Sequence, residues 1–186
     1  ILFFGVYALP KLSDKQKGCL LLILLVELIT SIQNEQSNGL IAGLIVLSFV
    51  FLENKKHFLS ALCIVFSIYI KLFSVVGLIL FLLYPNKIKS VVYTLFWFII
   101  IGAIPLLYID IDQYTFLIKS YVNMLGHDHS MSQGYSLMGM LNSISDFNQY
   151  KTHVVLIGAV LFLIPFISYK KYSTLKFRVL SLASFL

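Results

Sequence analysis

From His57 to Tyr84 the chain runs for 28 residues with a single charged side chain, Lys71, near its middle. A lysine at the centre of a bilayer-spanning helix costs roughly 2.5–3.5 kcal/mol. The length is a second constraint. As one α-helix these residues would extend about 42 Å, against roughly 30 Å of hydrocarbon in a bilayer. Basic residues flank the run on both sides, Lys55 and Lys56 before it, Lys87 and Lys89 after it. Flanks of the same sign conflict with one crossing, because Lys and Arg collect on one face of a membrane. The run is therefore predicted to break near Lys71 into two short helices of about 13 residues each, returning the chain to the side it left. Lys71 then sits at the far surface or in a polar cavity. Two such limbs pack inside a bundle or form a re-entrant hairpin. A single tilted helix, with Lys71 held against a partner, is the alternative.

The rest of the chain repeats the theme. Apolar residues make up 59% and charged residues 12%, against about 45–50% and 25% in ordinary soluble domains. Apolar runs fall at 1–9, 18–32, 38–52, 57–84, 88–109, 152–169 and 179–186. Such runs predict an all-α, polytopic transmembrane helix bundle, an integral multi-pass membrane protein. Residues 1–186 are read as one transmembrane domain, and as a piece of a longer polytopic chain. The first residues lack the basic start and cleavage site of a signal peptide. The net charge of +6 does not point to nucleic acid, because the cations lie scattered in loops. Cys19 and Cys63 both fall in apolar runs, which predicts buried thiols rather than a disulfide.

Eleven of the 14 basic residues lie in the loops after the first, third, fourth and sixth runs, at 11–17, 55–56, 87–89 and 170–178. The bias predicts that these loops face the cytoplasm. Loops 33–37 and 110–151 then face outward, with Glu35, Asp110, Asp112, Asp128 and Asp146. Pro105 is expected to kink the helix near its outer end. Glu27 lies one turn before the end of its run, either reaching the interface or facing the bundle interior.

Three elements converge on the outer side. "SIQNEQSNGL" (31–40) reads as a tight helical hairpin dense in amides: Gln33, Asn34, Gln36 and Asn38. Ser37 or Asn38 would cap the next helix, which leaves the clustering of Gln33, Gln36 and Asn38 without a turn-based reason. Lys71 suits a phosphate as a compact point charge, or snorkels to the headgroups. Loop 110–151 opens with Tyr114, Leu117, Ile118, Tyr121, Val122 and Leu125 at helical spacing, an amphipathic helix along the interface. His127, Asp128 and His129 invite a metal reading, but neighbours on one turn point apart and no further ligand completes a site. No cofactor is expected. Gln133, Tyr135 and Ser136, before an apolar helix start, are candidates for contact with a sugar or phosphate.

The succession "EQSNGLIAGLIVL", "IYIKLFSVVGLILFLL" and "QGYSLMGML" resembles the GT-C class of integral-membrane glycosyltransferases. Within it the nearest resemblance is to the polyprenol-phosphate-mannose-dependent alpha-mannosyltransferase-like group, glycosyltransferase family 87. Members typically show Gly-Gln-x-Asn opening a membrane helix, matched at Glu35, Gln36, Ser37 and Asn38 with Glu35 in the glycine position. A Lys-x-x-Pro comes next, matched by Lys71 with Ser74 in the proline position. A later Asn-Gln-Ser-Leu-x-Gly stretch is met loosely by Tyr135, Ser136, Leu137 and Gly139. The resemblance spans about residues 18 to 145.

It implies a hexosyltransferase moving mannose or another hexose from a polyprenyl-phosphate donor to a glycan or glycolipid acceptor. The location implied is the outer face of a bacterial plasma membrane, in building the cell envelope. Lys71 would stabilise the leaving phosphate, and Gln36, Asn38, Gln133 and Ser136 would hold substrate. The base of such enzymes usually comes from a first outer loop near the N-terminus, expected here to lie beyond the chain. The substitutes within it are Glu35 and Asp128. Two other classes remain open on residues alone. One is a transporter or flippase of a lipid-linked sugar, which would bind at the midplane between repeated halves, and no internal repeat is visible. The other is a structural membrane subunit, which has no need of an amide-dense hairpin.

Overall fold

The computed structural model describes residues 1–127, 150–167 and 169–185, and among them every regular element is helical. Two compact units form: residues 1–103 with 170–186, and residues 104–169.

The first unit is built on α1 (Leu2–Tyr7), α2 (Asp14–Gln33), α3 (Asn38–Glu53), α4 (His57–Ile70) and α5 (Lys87–Ala103). Ser13 starts α2 through a capping box: its hydroxyl accepts from the Gln16 N–H, and its own N–H donates to the Gln16 side chain. Free donors at a helix start are satisfied that way. The ends of α2 and α3 share one device. After Asn34, Glu35 turns left-handed at φ 53°, and Gln36 N–H bonds Ser31 O at 2.8 Å. After Asn54, Lys55 does the same at φ 59°, and Lys56 N–H bonds Phe51 O at 2.8 Å. Both are Schellman endings made without glycine.

The segment 57–84 breaks where the sequence predicts. Helix α4 stops at Ile70 after 14 residues, and Lys71 is extended at φ −153°, ψ 120°. The second limb differs from expectation in kind: Leu72–Leu83 is a 3-10 helix of 12 residues. Runs of 3-10 geometry longer than a turn or so are uncommon. Packing explains this one. At about 2.0 Å per residue the limb extends about 24 Å, beside an α4 of roughly 21 Å. With three residues per turn it also presents Ser74, Gly77, Leu80 and Leu83 on one face, and all four are buried.

The two limbs run antiparallel. A Cβ on Gly77 would meet Ile64 Cδ1 at 2.8 Å, so the approach requires glycine or a shift of that side chain. The 3-10 limb ends at Tyr84, whose hydroxyl donates to Glu53 at the close of α3. The chain has thus returned to the end of the unit from which α4 set out.

Phe49, Leu52, Ile64, Val65 and Leu80 form the core between α3, α4 and the 3-10 limb. Ser48 and Ser60 share a buried hydrogen bond of 2.7 Å across α3 and α4. Helix α1 crosses α3 so closely that a Cβ on Gly43 would lie 2.6 Å from the backbone nitrogen of Leu2. Helix α8 (Leu175–Phe185) completes the unit. Arg178 on it forms a bidentate pair with Glu53, Nε to Oε1 at 2.7 Å and Nη2 to Oε2 at 3.1 Å.

Of the apolar helices, Asp14–Gln33 and Lys87–Leu107 are long and apolar enough to cross a membrane. The all-α expectation is met among the described residues, whereas of the polytopic bundle expected from the sequence only these two helices are of spanning length. Near Pro105 the last turn of the second tightens to 3-10 geometry over Ile104–Leu107.

In the second unit, Asp110 caps α6 (Ile111–His127) by accepting from the Gln113 N–H at 2.8 Å. The predicted amphipathic helix is therefore formed, and Leu117, Ile118, Tyr121 and Val122 are exposed along it. Helix α7 (Lys151–Leu163) comes after the undescribed stretch.

A cation-headed apolar cavity as candidate active site

The Schellman turn after α2 fixes where the amides point. Ser31 Oγ donates to the Gln36 carbonyl at 3.0 Å, holding the turn from inside. Gln36 Oε1 accepts from Asn38 Nδ2 at 2.7 Å, and Asn38 Oδ1 accepts from Lys71 Nζ at 3.2 Å. Residues 33 positions apart in sequence are so joined in a relay of Gln36, Asn38 and Lys71. The expected side-chain cap is not made: Ser37 stands at the N-cap of α3 without a cap hydrogen bond. Asn38 has turned its side chain to Lys71 instead, which is a correction to the reading of this hairpin as turn chemistry. Of the other hairpin amides, Asn34 Nδ2 donates back to Thr30 O at 2.9 Å and serves the helix end, and Gln33 is exposed.

Lys71 and Asn38 line the head of a cavity of about 530 Å³. Its walls come from α1, α2, α3, the 3-10 limb and α8, and most are apolar: Leu20, Leu24, Ile45, Phe73, Val76 and Leu182 among them. The polar lining is Glu27, Ser31, Asn38, Lys71 and Ser74. Glu27 sits six residues before the end of α2, which runs to Gln33, so it is further from the helix end than the apolar run suggests. It lines the cavity that holds Lys71, which agrees with the second of its two sequence readings, the one facing the bundle interior. Ser74, which stands in the proline position of the family pattern, is a second residue of the cavity lining. It is 5% exposed, and its Oγ is the buried side-chain polar atom without a hydrogen-bond partner among the described residues. Its backbone N–H donates to Lys71 O at 3.0 Å, a bond that proline in the same position would not make.

Glu35 lies outside this cavity, exposed, as the left-handed residue of the turn. The glycine that the family pattern carries there is the residue such a backbone favours. Asp128, His129, Gln133, Tyr135 and Ser136 lie outside the described residues, as does the side chain of His127. The metal reading of His127–His129 falls there too.

The described residues are helical and fold an apolar cavity with a lysine and an amide on its lining. The chain belongs to glycosyltransferase family 87: the family's model matches residues 5–186. It is a glycosyltransferase, an enzyme that binds a sugar donor and an acceptor. No curated protein and no solved structure gives a match.

Proposed function

We propose that this enzyme is a multi-pass membrane protein that takes a hexose, mannose in the group it resembles, from a polyprenyl-phosphate carrier. It passes the sugar to a glycan or glycolipid acceptor at the outer face of a bacterial plasma membrane. The observation that carries this reading is the cavity itself. Its apolar walls match a prenyl chain in chemistry, and Lys71 stands at its polar head as a phosphate-matched point charge. A nucleotide sugar would leave those walls unused.

In this reading the acceptor hydroxyl attacks the anomeric carbon. A carboxylate takes the hydroxyl proton, the bond from the anomeric carbon to phosphate oxygen breaks, and the lipid phosphate leaves with the electron pair. Lys71 neutralises the charge that develops on the phosphate, while Asn38 and Gln36 orient Lys71 and bind sugar or phosphate oxygens. Glu27 joins Glu35 and Asp128 as a candidate base, because it lines the cavity that holds Lys71. Gln133 and Ser136 are proposed substrate contacts from the sequence pattern.

The test is hexose transfer from a polyprenyl-phosphate hexose in membranes carrying the full-length protein, wild type against Lys71→Gln at matched protein levels. Loss of a charge-assisted contact in the transition state lowers transfer by roughly ten- to a hundredfold. A wild-type rate in Lys71→Gln removes Lys71 from the site and the donor assignment with it.

A further inference from the structure

At the other end of the first unit a second concavity, of about 370 Å³, opens between the starts of α4 and α5. Lys55, Lys56, Lys89 and Asn86 line it together with Phe58 and Tyr93. Lys55 and Lys56 come from the turn before α4 and Lys89 from the first turn of α5, and the fold makes them converge. The hairpin of 57–84 returns the chain beside its own beginning, and a buried hydrogen bond of 2.9 Å between His57 Nδ1 and Ser90 Oγ pins the two helix starts together. Among the described residues no acidic side chain lines this pocket, and the ion pair that forms nearby, Glu53 with Arg178, uses neither these lysines nor this space. Three converging positive charges repel one another unless a ligand supplies the counter-charge. Lys56 stands at the N-cap of α4 without a side-chain cap, so the free N–H groups of that first turn add to the positive field.

The wall beside the lysines says what kind of anion fits. Phe58 packs on Tyr93, Phe96 and Trp97 with ring centroids 5.3, 5.8 and 4.9 Å apart, and Trp97 Nε1 donates to Phe58 O at 3.1 Å. Around this cluster Ile88, Val92 and Phe96 are exposed. Aromatic rings with one polar contact, set between cations and exposed apolar surface, are the side chains found at the headgroup level of membranes. A free phosphate or a soluble anion would use the lysines and leave the apolar rim in water. An anionic phospholipid uses both, its phosphate on the lysines and its acyl chains along α5. We propose that this pocket is a binding site for the headgroup of an anionic membrane phospholipid, separate from the Lys71 cavity.

The experiment titrates phosphatidylglycerol and phosphatidylcholine onto the detergent-purified full-length protein and reads retained lipid by native mass spectrometry. Wild type is expected to retain phosphatidylglycerol roughly ten- to a hundredfold better than phosphatidylcholine, and Lys55→Gln/Lys56→Gln/Lys89→Gln to lose that preference. Lys89→Gln alone, one exposed substitution that the fold tolerates, is expected to lower it severalfold. Lys15→Gln/Lys170→Gln/Lys171→Gln removes the same charge outside the pocket and is expected to keep it. Equal retention of the two lipids by wild type overturns the proposal. So does an undiminished preference in the pocket variants, or an equal loss in the control. Full displacement of phosphatidylglycerol by millimolar inorganic phosphate would assign the pocket to a free anion and overturn the lipid assignment.

Discussion

Two charged sites of the first unit, Glu53 with Arg178 and Lys71 with Asn38, handle charge in opposite ways. At the end where α3 closes, Glu53 holds Arg178 through two nitrogens and also accepts from Tyr84, so cation and anion are locked in a part-buried network. At the end where α3 opens, Lys71 bonds the carbonyl oxygen of Asn38, a neutral partner at 3.2 Å, over an apolar cavity. A charge matched by a charge is finished, and removing it is felt by the fold. A charge matched by an amide keeps its full attraction for an anion, and removing it is felt by whatever binds. The Glu53–Arg178 site serves stability, and chemistry is the role proposed for Lys71.

The largest effect expected from this contrast is at the locked end. Arg178→Ala leaves the Glu53 carboxylate with Tyr84 alone and is expected to destabilise the fold by about 3 kcal/mol, read by thermal unfolding in detergent. A loss under about half a kcal/mol, the range of an ordinary surface change, would break the comparison. Lys71→Gln is the complement. Its transfer rate falls while its unfolding temperature stays with wild type, since exposed substitutions of this kind move stability by less than about 0.5 kcal/mol. An equal loss of stability in both variants would make Lys71 a structural residue like Arg178.

Ser74→Ala sharpens the point further. Its hydroxyl lies buried without a partner among the described residues, so its removal is expected to stabilise by about 1 kcal/mol. If the hydroxyl serves bound donor, the same variant raises KM, and that split separates a ligand contact from a packing fault. The smallest effect is at Glu35. Glu35→Gly places the unstrained residue at φ 53° and is expected to stabilise by a few tenths of a kcal/mol with transfer unchanged. A collapse of activity there would make Glu35 the base and return Glu27 to the wall of the cavity.

Much of this architecture is legible in the chain for plain physical reasons. The break at Lys71 comes from a length that one crossing cannot hold and from lysines on both flanks. The grouping of Gln36, Asn38 and Lys71 comes from that break, because a returning hairpin brings its tip level with the start of α3. The 3-10 geometry of the second limb is not legible. Val, Ile, Leu and Phe fill either helix, and what goes with three residues per turn is the buried row Ser74, Gly77, Leu80 and Leu83. The Glu53–Arg178 pair is also hidden, since its partners are 125 residues apart and no local pattern marks them. The distance of Glu27 from a helix end says nothing of the cavity it lines. The loop residues Asp128, Gln133 and Ser136 rest on sequence pattern alone.

The 3-10 limb also governs how the segment tolerates change in length. An α-helix turns 100° per residue, so no small insertion restores its buried face in full; three residues undershoot the turn and four overshoot it. At three residues per turn each added residue rotates the rest of the limb by about 120°, and three added residues complete the circle. Between Ser74 and Leu83 three added residues would therefore keep the side chains that follow turned toward α4, displaced by about 6 Å along it, where gains of one, two or four would turn them to the outside.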